Sequence, residues 1–264
     1  MSKNISGLSI VLPTINEIEN LKKLIPELIS NINEAQVKDF EILVVDDGST
    51  DGTADFIHSY KNLDQDVSII RRNNTPSLPM AIWDGIAASK YEFILWMDAD
   101  GSMPPYVVKK LVIAQNSNLD SVIIGSRFTK GGGYKGIKEL GKTNFFEAIR
   151  NVYNSNDSVF GMIFSTLFNK FLNSIFKTNL TDITSGFIVG KKSHFIEEQF
   201  TKSEYGEYFI YMLSDLLSKK INIIEIGYIC ETRIAGVSKT ATNIGQLIKR
   251  GIPYIRTAIK VRYK

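Results

Sequence analysis

Short apolar runs alternate with stretches of helical periodicity along the N-terminal part of the chain, and few folds accommodate that pattern. Leu8-Ser9-Ile10-Val11-Leu12-Pro13 is a strand-length run ended by proline. It leads through Thr14-Ile15-Asn16-Glu17 into Leu21, Leu24, Ile25, Leu28 and Ile32 at helical spacing. Phe40 to Val45 repeats the plan: it ends in Asp46-Asp47-Gly48-Ser49 and leads into a helix from Ala54, with Thr50 or Asp51 as its cap. Val67 to Arg72 and a helix from Pro79 to Ser89 form a third unit. A fourth run, Phe93 to Met97, stops at Asp98-Ala99-Asp100-Gly101-Ser102, with Pro104-Pro105 opening the next helix. Such alternation predicts an α/β fold, a mainly parallel sheet flanked by helices, with ligands bound beyond the C-terminal strand ends. The polar clusters at Pro13 to Glu17, Asp46 to Ser49 and Asp98 to Ser102 should therefore share one crevice.

The residues at those ends suggest a chemistry. If the strand continues through them, Asp98 and Asp100 point the same way, and hard carboxylate oxygens suit Mg²⁺ or Mn²⁺ already carrying phosphates. A strand end and a turn residue would explain the same two acids without chemistry. Val122-Ile123-Ile124 is another strand, ending in Gly125-Ser126-Arg127, where a guanidinium fork suits phosphate oxygens. Gly131-Gly132-Gly133 is either a lid or a solvated turn. Asp182, Thr184 and Ser185 precede a short strand, Phe187 to Val189, and offer a carboxylate and hydroxyls to a phosphate or a sugar. A helix from Glu204 to Ser218 and a strand from Ile221 to Ile229 lead to Arg233, Ser238 and Lys239, cations and a hydroxyl on one loop.

Composition limits the partners. A formal charge of +3 over 264 residues is too small to argue for nucleic acid. Cys230 is the only cysteine, which excludes an intrachain disulfide and fits a reducing compartment. The N-terminus lacks the apolar core of a signal peptide, and no transmembrane helix is expected. Phe160, Ile163, Phe164, Leu167, Phe168, Phe171, Leu172, Ile175 and Phe176 define an amphipathic helix over about 158–177, suited either to core packing or to a membrane surface. Residues 241–264 carry Lys249, Arg250, Arg256, Lys260, Arg262 and Lys264 without an acid, a basic amphipathic segment that Pro253 should kink or split.

Val11-Leu12-Pro13-Thr14-Ile15-Asn16-Glu17, Val44-Val45-Asp46-Asp47-Gly48-Ser49-Thr50-Asp51 and Met97-Asp98-Ala99-Asp100, in that order, resemble a family 2 glycosyltransferase of the GT-A fold. Gly125-Ser126-Arg127-Phe128, Asp182 to Phe187 and Arg233 to Lys239 are similar to elements of its dolichyl-phosphate or polyprenyl-phosphate mannose synthase branch. The resemblance implies an inverting, metal-dependent enzyme that moves a sugar, mannose from GDP-mannose favoured, onto a polyprenyl or dolichyl phosphate. It gives Pro13, Thr14, Asn16, Glu17, Asp46, Asp47 and Asp98 to the nucleotide, and Asp98, Asp100 and Ser102 to Mg²⁺ or Mn²⁺. Arg127, Thr184, Ser185, Arg233, Ser238 and Lys239 fall to the phosphates, with Asp100, Arg127, Asp182, Arg233 and Lys239 at the catalytic centre. Residues 1–240 are then the catalytic domain and 241–264 an appended segment, the whole peripheral at the cytoplasmic membrane face. Two alternatives remain: a UDP-sugar enzyme acting on a lipid phosphate or a glycan hydroxyl, and a non-catalytic sugar-nucleotide or membrane-binding module. The sequence departs from the branch in the polar insertion at about 136–157 and in Ser102, where the branch has Gln.

Overall fold

A computed structural model describes residues 4–61, 66–134, 159–231 and 244–262. Four parallel strands start the main sheet: β1 (Gly7–Thr14), β2 (Asp39–Asp46), β3 (Val67–Arg71) and β4 (Phe93–Trp96). The sheet continues with β5 (Val122–Ser126), β7 (Ile188–Lys191) and β8 (Ile223–Gly227), in the order β3-β2-β1-β4-β7-β5-β8. β7 is antiparallel to both β4 and β5, and β8 is parallel to β5, so every strand but β7 points the same way. The C-terminal ends of six strands and the N-terminal end of β7 consequently form one edge. β6 (Gly133–Tyr134) and β9 (Ile229–Cys230) make a small second sheet.

Alternation sorts the strand side chains between two apolar layers. Ile10, Leu12, Ile42, Val44 and Leu95 join Leu21, Leu24, Leu28, Val108 and Leu111 of α1 (Ile18–Glu34) and α4 (Pro105–Ser117). Val11, Val45, Ile94 and Trp96 face α3 (Leu78–Ala88) and α7 (Tyr208–Ser218). α2 (Thr53–Lys61) follows β2, and α5 (Val159–Phe176), α6 (Glu198–Thr201) and α8 (Ile244–Arg262) complete the described α-helices. Strands buried on both faces are the expected companions of a parallel sheet covered by helices.

Several boundaries differ from the expected ones for identifiable reasons. β1 runs through Pro13 rather than ending at it. The Val11 carbonyl accepts from the Met97 N–H on the β4 side, so Pro13 turns its missing donor to that side, where β4 has already ended. α7 starts at Tyr208, not Glu204, because the Glu207 carboxylate accepts from the Glu204 and Tyr205 N–H groups (2.6 and 3.2 Å) and holds that stretch as a turn. The strand expected over 221–229 divides at Tyr228. Its Gly227 lies so close to the Gly131-Gly132 backbone that a Cβ would sit 2.3 Å from the Lys130 carbonyl oxygen. The glycine run is thus a packed turn and not a lid. α8 continues unbroken across Pro253, seated by Gly251 against the Phe168 ring and by Tyr254 over Gly206. Among the described residues no helix is long and apolar enough to cross a membrane.

Candidate active site

The carboxylates expected on an extended strand lie just beyond one. β4 ends at Trp96, and Asp98 to Ser102 turn away from the sheet. Gly101, at φ +79°, takes a backbone conformation that suits glycine, and the Ser102 N–H bends back to donate to Asp100 Oδ1 at 2.9 Å. Asp100 and Ser102 are nearly buried, while Asp98 is half-buried. Tyr208 lies beneath this turn, its hydroxyl accepting from the Trp96 indole N–H at 3.1 Å. Burial first, and then the charge of Asp98, push the Tyr208 phenol far above its ordinary range, so it stays neutral. Among the described residues no group of three or more His, Cys, Asp or Glu side chains could hold a metal by itself. Two carboxylates and a hydroxyl are all oxygen donors, and an incomplete protein set suits an ion whose other ligands are diphosphate oxygens and water.

Next along the edge, β1 and β2 end in register at Thr14 and Asp46. Asn16, at φ +54°, ties the two loops together: its N–H donates to Ser49 Oγ and its side-chain oxygen accepts from the Thr50 N–H, both at 2.8 Å. Asp51 accepts from the Ile18 N–H and from the Thr53 N–H and hydroxyl, so one carboxylate serves the first turns of α1 and α2. Glu17 accepts from the Asn20 amide. Asp46 Oδ1 accepts from the Ser49 N–H, whereas its buried Oδ2 has no hydrogen bond and is approached by the Arg71 guanidinium at 3.4 Å.

Asp47 is engaged more heavily than its sequence suggested. It pairs with buried Arg72, which also donates to Asp84 at 2.7 Å, and it accepts from the Ser77 N–H. Arg72 was legible only as half of the Arg71-Arg72 doublet ending β3, and nothing local marked it as the partner of Asp47.

Beyond β5, Arg127 meets Asp182 from the loop before β7. The guanidinium makes a two-pronged pair through Nε and one terminal nitrogen, each 2.8 Å from a carboxylate oxygen. The Arg127 N–H also donates to Asp182, and its guanidinium donates to Thr184 Oγ1 at 2.8 Å. Ser185 instead turns inward, donating to the Gly125 carbonyl. Glu225 of β8 holds the loop from the other side, accepting from the Thr181 and Asp182 N–H groups at 2.8 and 2.9 Å. Its place as the one acid in the mostly apolar run Ile221 to Ile229 was the only sign of that role.

Arg233, Ser238 and Lys239 lie outside the described residues. The chain enters that stretch beside the carboxylate turn, because the Glu231 N–H donates to the Ser102 carbonyl at 3.0 Å. Phe168 is not on a free apolar face: its ring packs edge-on against Tyr254 of α8. Among the described side chains of α5, Leu167 and Phe171 are the exposed apolar ones (61% and 50%), while those of Phe160 and Phe164 lie outside the described ones.

Comparison with known proteins agrees with this architecture. Residues 9–197 match the family model described as Glycosyl transferase family 2. A dolichol-phosphate mannosyltransferase of Pyrococcus furiosus is 38% identical over 125 residues, 47% of this chain and 34% of that protein. One of Saccharomyces cerevisiae is 30% identical over 125 residues, covering 47% and 46% respectively. The chain thus matches less than half the length of these relatives. In three dimensions it is similar to glucosyl-3-phosphoglycerate synthase of Mycobacterium tuberculosis crystallised with Mn²⁺, UDP and phosphoglyceric acid. That likeness has a TM-score of 0.62 at 16% identity and covers 97% of this chain and 78% of the other. A crystal of the same synthase with Mg²⁺ and UDP gives a TM-score of 0.60, covering 98% and 80%.

Proposed function

From the premise that the chain belongs to glycosyl transferase family 2, we propose that it moves a sugar, mannose from GDP-mannose favoured, from a sugar nucleotide to a polyprenyl or dolichyl phosphate. The observation that carries this reading is the shared strand edge, where a carboxylate pair after β4 and the Arg127–Asp182–Thr184 cluster after β5 flank the N-terminal end of β7. Diphosphate and acceptor phosphate need these two kinds of group. Residues 1–240 act as the catalytic unit and 241–264 as the appended basic segment.

The loops after β1 and β2, with Pro13, Thr14, Asn16, Glu17, Asp46 and Asp47, receive the nucleoside. Asp46 Oδ2, covered by half-exposed Arg71, offers an acceptor to a base N–H or a ribose hydroxyl. Asp98 and Asp100 hold Mg²⁺ or Mn²⁺, with Ser102 as a weak further ligand, and when bound the ion supplies charge neutralisation for the departing diphosphate. An acceptor phosphate monoester has a second pKa near 6, so at neutral pH it attacks the anomeric carbon in line without a base. This suits Asp182, whose carboxylate already orients Arg127, and makes it a positioning group for the guanidinium that meets the acceptor phosphate with Thr184. Ser185 supports the same loop, and Arg233, Ser238 and Lys239 complete the phosphate site.

A lipid acceptor calls for contact with a membrane surface. Leu167 and Phe171 on α5 and Ile252 and Ile259 on α8 are exposed, with Lys170, Arg256, Lys260 and Arg262 exposed on the same two helices. Apolar residues among cations suit anionic headgroups of the cytoplasmic leaflet, and the lone buried thiol of Cys230 fits that reducing side. A uridine nucleotide is the second reading for the donor, favoured by the UDP complexes of the structurally similar mycobacterial synthase.

Calorimetric titration of GDP-mannose and a panel of UDP-sugars, with and without Mg²⁺, tests the donor assignment. Metal-dependent binding of GDP-mannose is expected. Exclusive binding of a UDP-sugar selects the second reading, and binding of no sugar nucleotide removes the proposal.

A further inference from the structure

The amphipathic helix α5 is joined to the Arg127–Asp182–Thr184 cluster by its polar inner face. Asn169, 2% exposed, donates from its amide nitrogen to the Thr181 carbonyl at 2.5 Å. Its amide oxygen accepts from the Ile183 N–H at 3.1 Å and lies 3.5 Å from the Thr184 hydroxyl. Asn173, one turn on, donates to the Leu180 carbonyl, but its buried oxygen has no hydrogen bond. Both ends of Asn169 are thus used, on the residues immediately before and after Asp182. A buried amide costs free energy wherever it is not hydrogen-bonded, and packing alone would have been served by Leu.

We propose that Asn169 is a positioning residue, through which α5 fixes the Thr181–Thr184 loop so that Asp182 and Thr184 present Arg127 to the acceptor phosphate. Glu225 grips the loop through the Thr181 and Asp182 amides from β8, and Asn169 grips it through Thr181 and Ile183 from the helix. With one grip removed, the loop pivots on the other, and Arg127 follows because its backbone N–H and its guanidinium are both bonded to Asp182. The reach of Asn169 is two hydrogen bonds long: amide to loop, and loop to guanidinium. The inference rests on the proposed transfer reaction for its kinetic part only.

Asn169→Ala and Thr184→Val, singly and together, provide the test. Asn169→Ala is expected to lower turnover on the order of 10- to 100-fold, the scale of a misplaced reacting group. Donor affinity by calorimetry should stay within about twofold, because the nucleotide loops are untouched. The double variant should lose little more than the worse single one, since both changes act on Arg127. Hydrogen exchange supplies a readout that needs no activity: protection of the Arg127 amide should fall with that of Ile183, while Leu95 in β4 stays protected. If Asn169→Ala does not fold, Asn169→Asp keeps an acceptor for Ile183, loses the donor to Thr181 and carries the same measurements. Unchanged exchange at Arg127, additive losses, or equal losses of donor affinity and turnover would each overturn the positioning role. A wild-type protein that binds donor and transfers nothing would count against the proposed reaction instead, leaving exchange at Arg127 to decide this inference.

Discussion

Arg72 ties Asp47, at the end of β2, to Asp84 of α3 on the side of the edge proposed for the nucleotide. Its side chain and that of Asp47 are 4% and 7% exposed, so removing the guanidinium leaves a buried carboxylate without its counter-charge. Breaking such a pair typically costs about 3–5 kcal/mol, far more than removing a surface ion pair. Arg72→Met should therefore lower the melting temperature by on the order of 10 °C in a chain of this size. Thermal unfolding checks it, and a shift of a degree or two would mean that the pair is not desolvated as the structure has it. The sequence showed the acids and cations at the strand ends because a parallel sheet puts its polar residues there, whatever they bond to. It did not show which of them pair. Asp47 with Arg72, and Arg127 with Asp182, join segments far apart in the chain, and no local period encodes such a contact.

At the scale of elements, Asp51 links α1 to α2 through acceptor bonds at the first turn of each. Partial burial raises its pKa, but the bonds from the Thr53 hydroxyl and the Ile18 and Thr53 N–H groups lower it more, so in the folded chain it lies below the ordinary 3.8. A depressed carboxyl stabilises the fold above its unfolded pKa, and that contribution is lost as pH falls below about 3.8 through the folded value. Asp51→Asn should thus be less stable than wild type at neutral pH, with the gap closing below that value, as denaturant melts across the acid range would record. A gap independent of pH would show that the charge is not involved. The helix α5 makes a second case. Its period was plain in the sequence, but Phe168 faces α8 and Asn169 faces the site loop, while Leu167 and Phe171 are left outside. Periodicity finds a stripe without saying what covers it. Leu167→Glu with Phe171→Glu should cut transfer to a long polyprenyl phosphate in liposomes at least tenfold, as charge opposes insertion, and leave donor affinity alone. Equal transfer by variant and wild type would detach α5 from the membrane.

For the molecule as a whole, a single topological fact gathers the site. β7 enters antiparallel between β4 and β5, so a loop that precedes a strand, carrying Asp182 and Thr184, reaches the same edge as the loops that follow strands. Alternating strands and helices made the parallel half of the sheet readable from residue patterns. The reversed strand was not, because Ile188 to Lys191 has no local mark of direction. The carboxylate turn after β4 stands closest to the centre of the account. In liposomes containing polyprenyl phosphate, wild-type protein with Mg²⁺ and radiolabelled GDP-mannose should move label into the lipid phase. Excess chelator, or Asp100→Asn in a protein of unchanged melting temperature, should reduce that transfer on the order of 100-fold or more. Full transfer in chelator, or label that stays in the aqueous phase with every sugar nucleotide offered, would contradict the account.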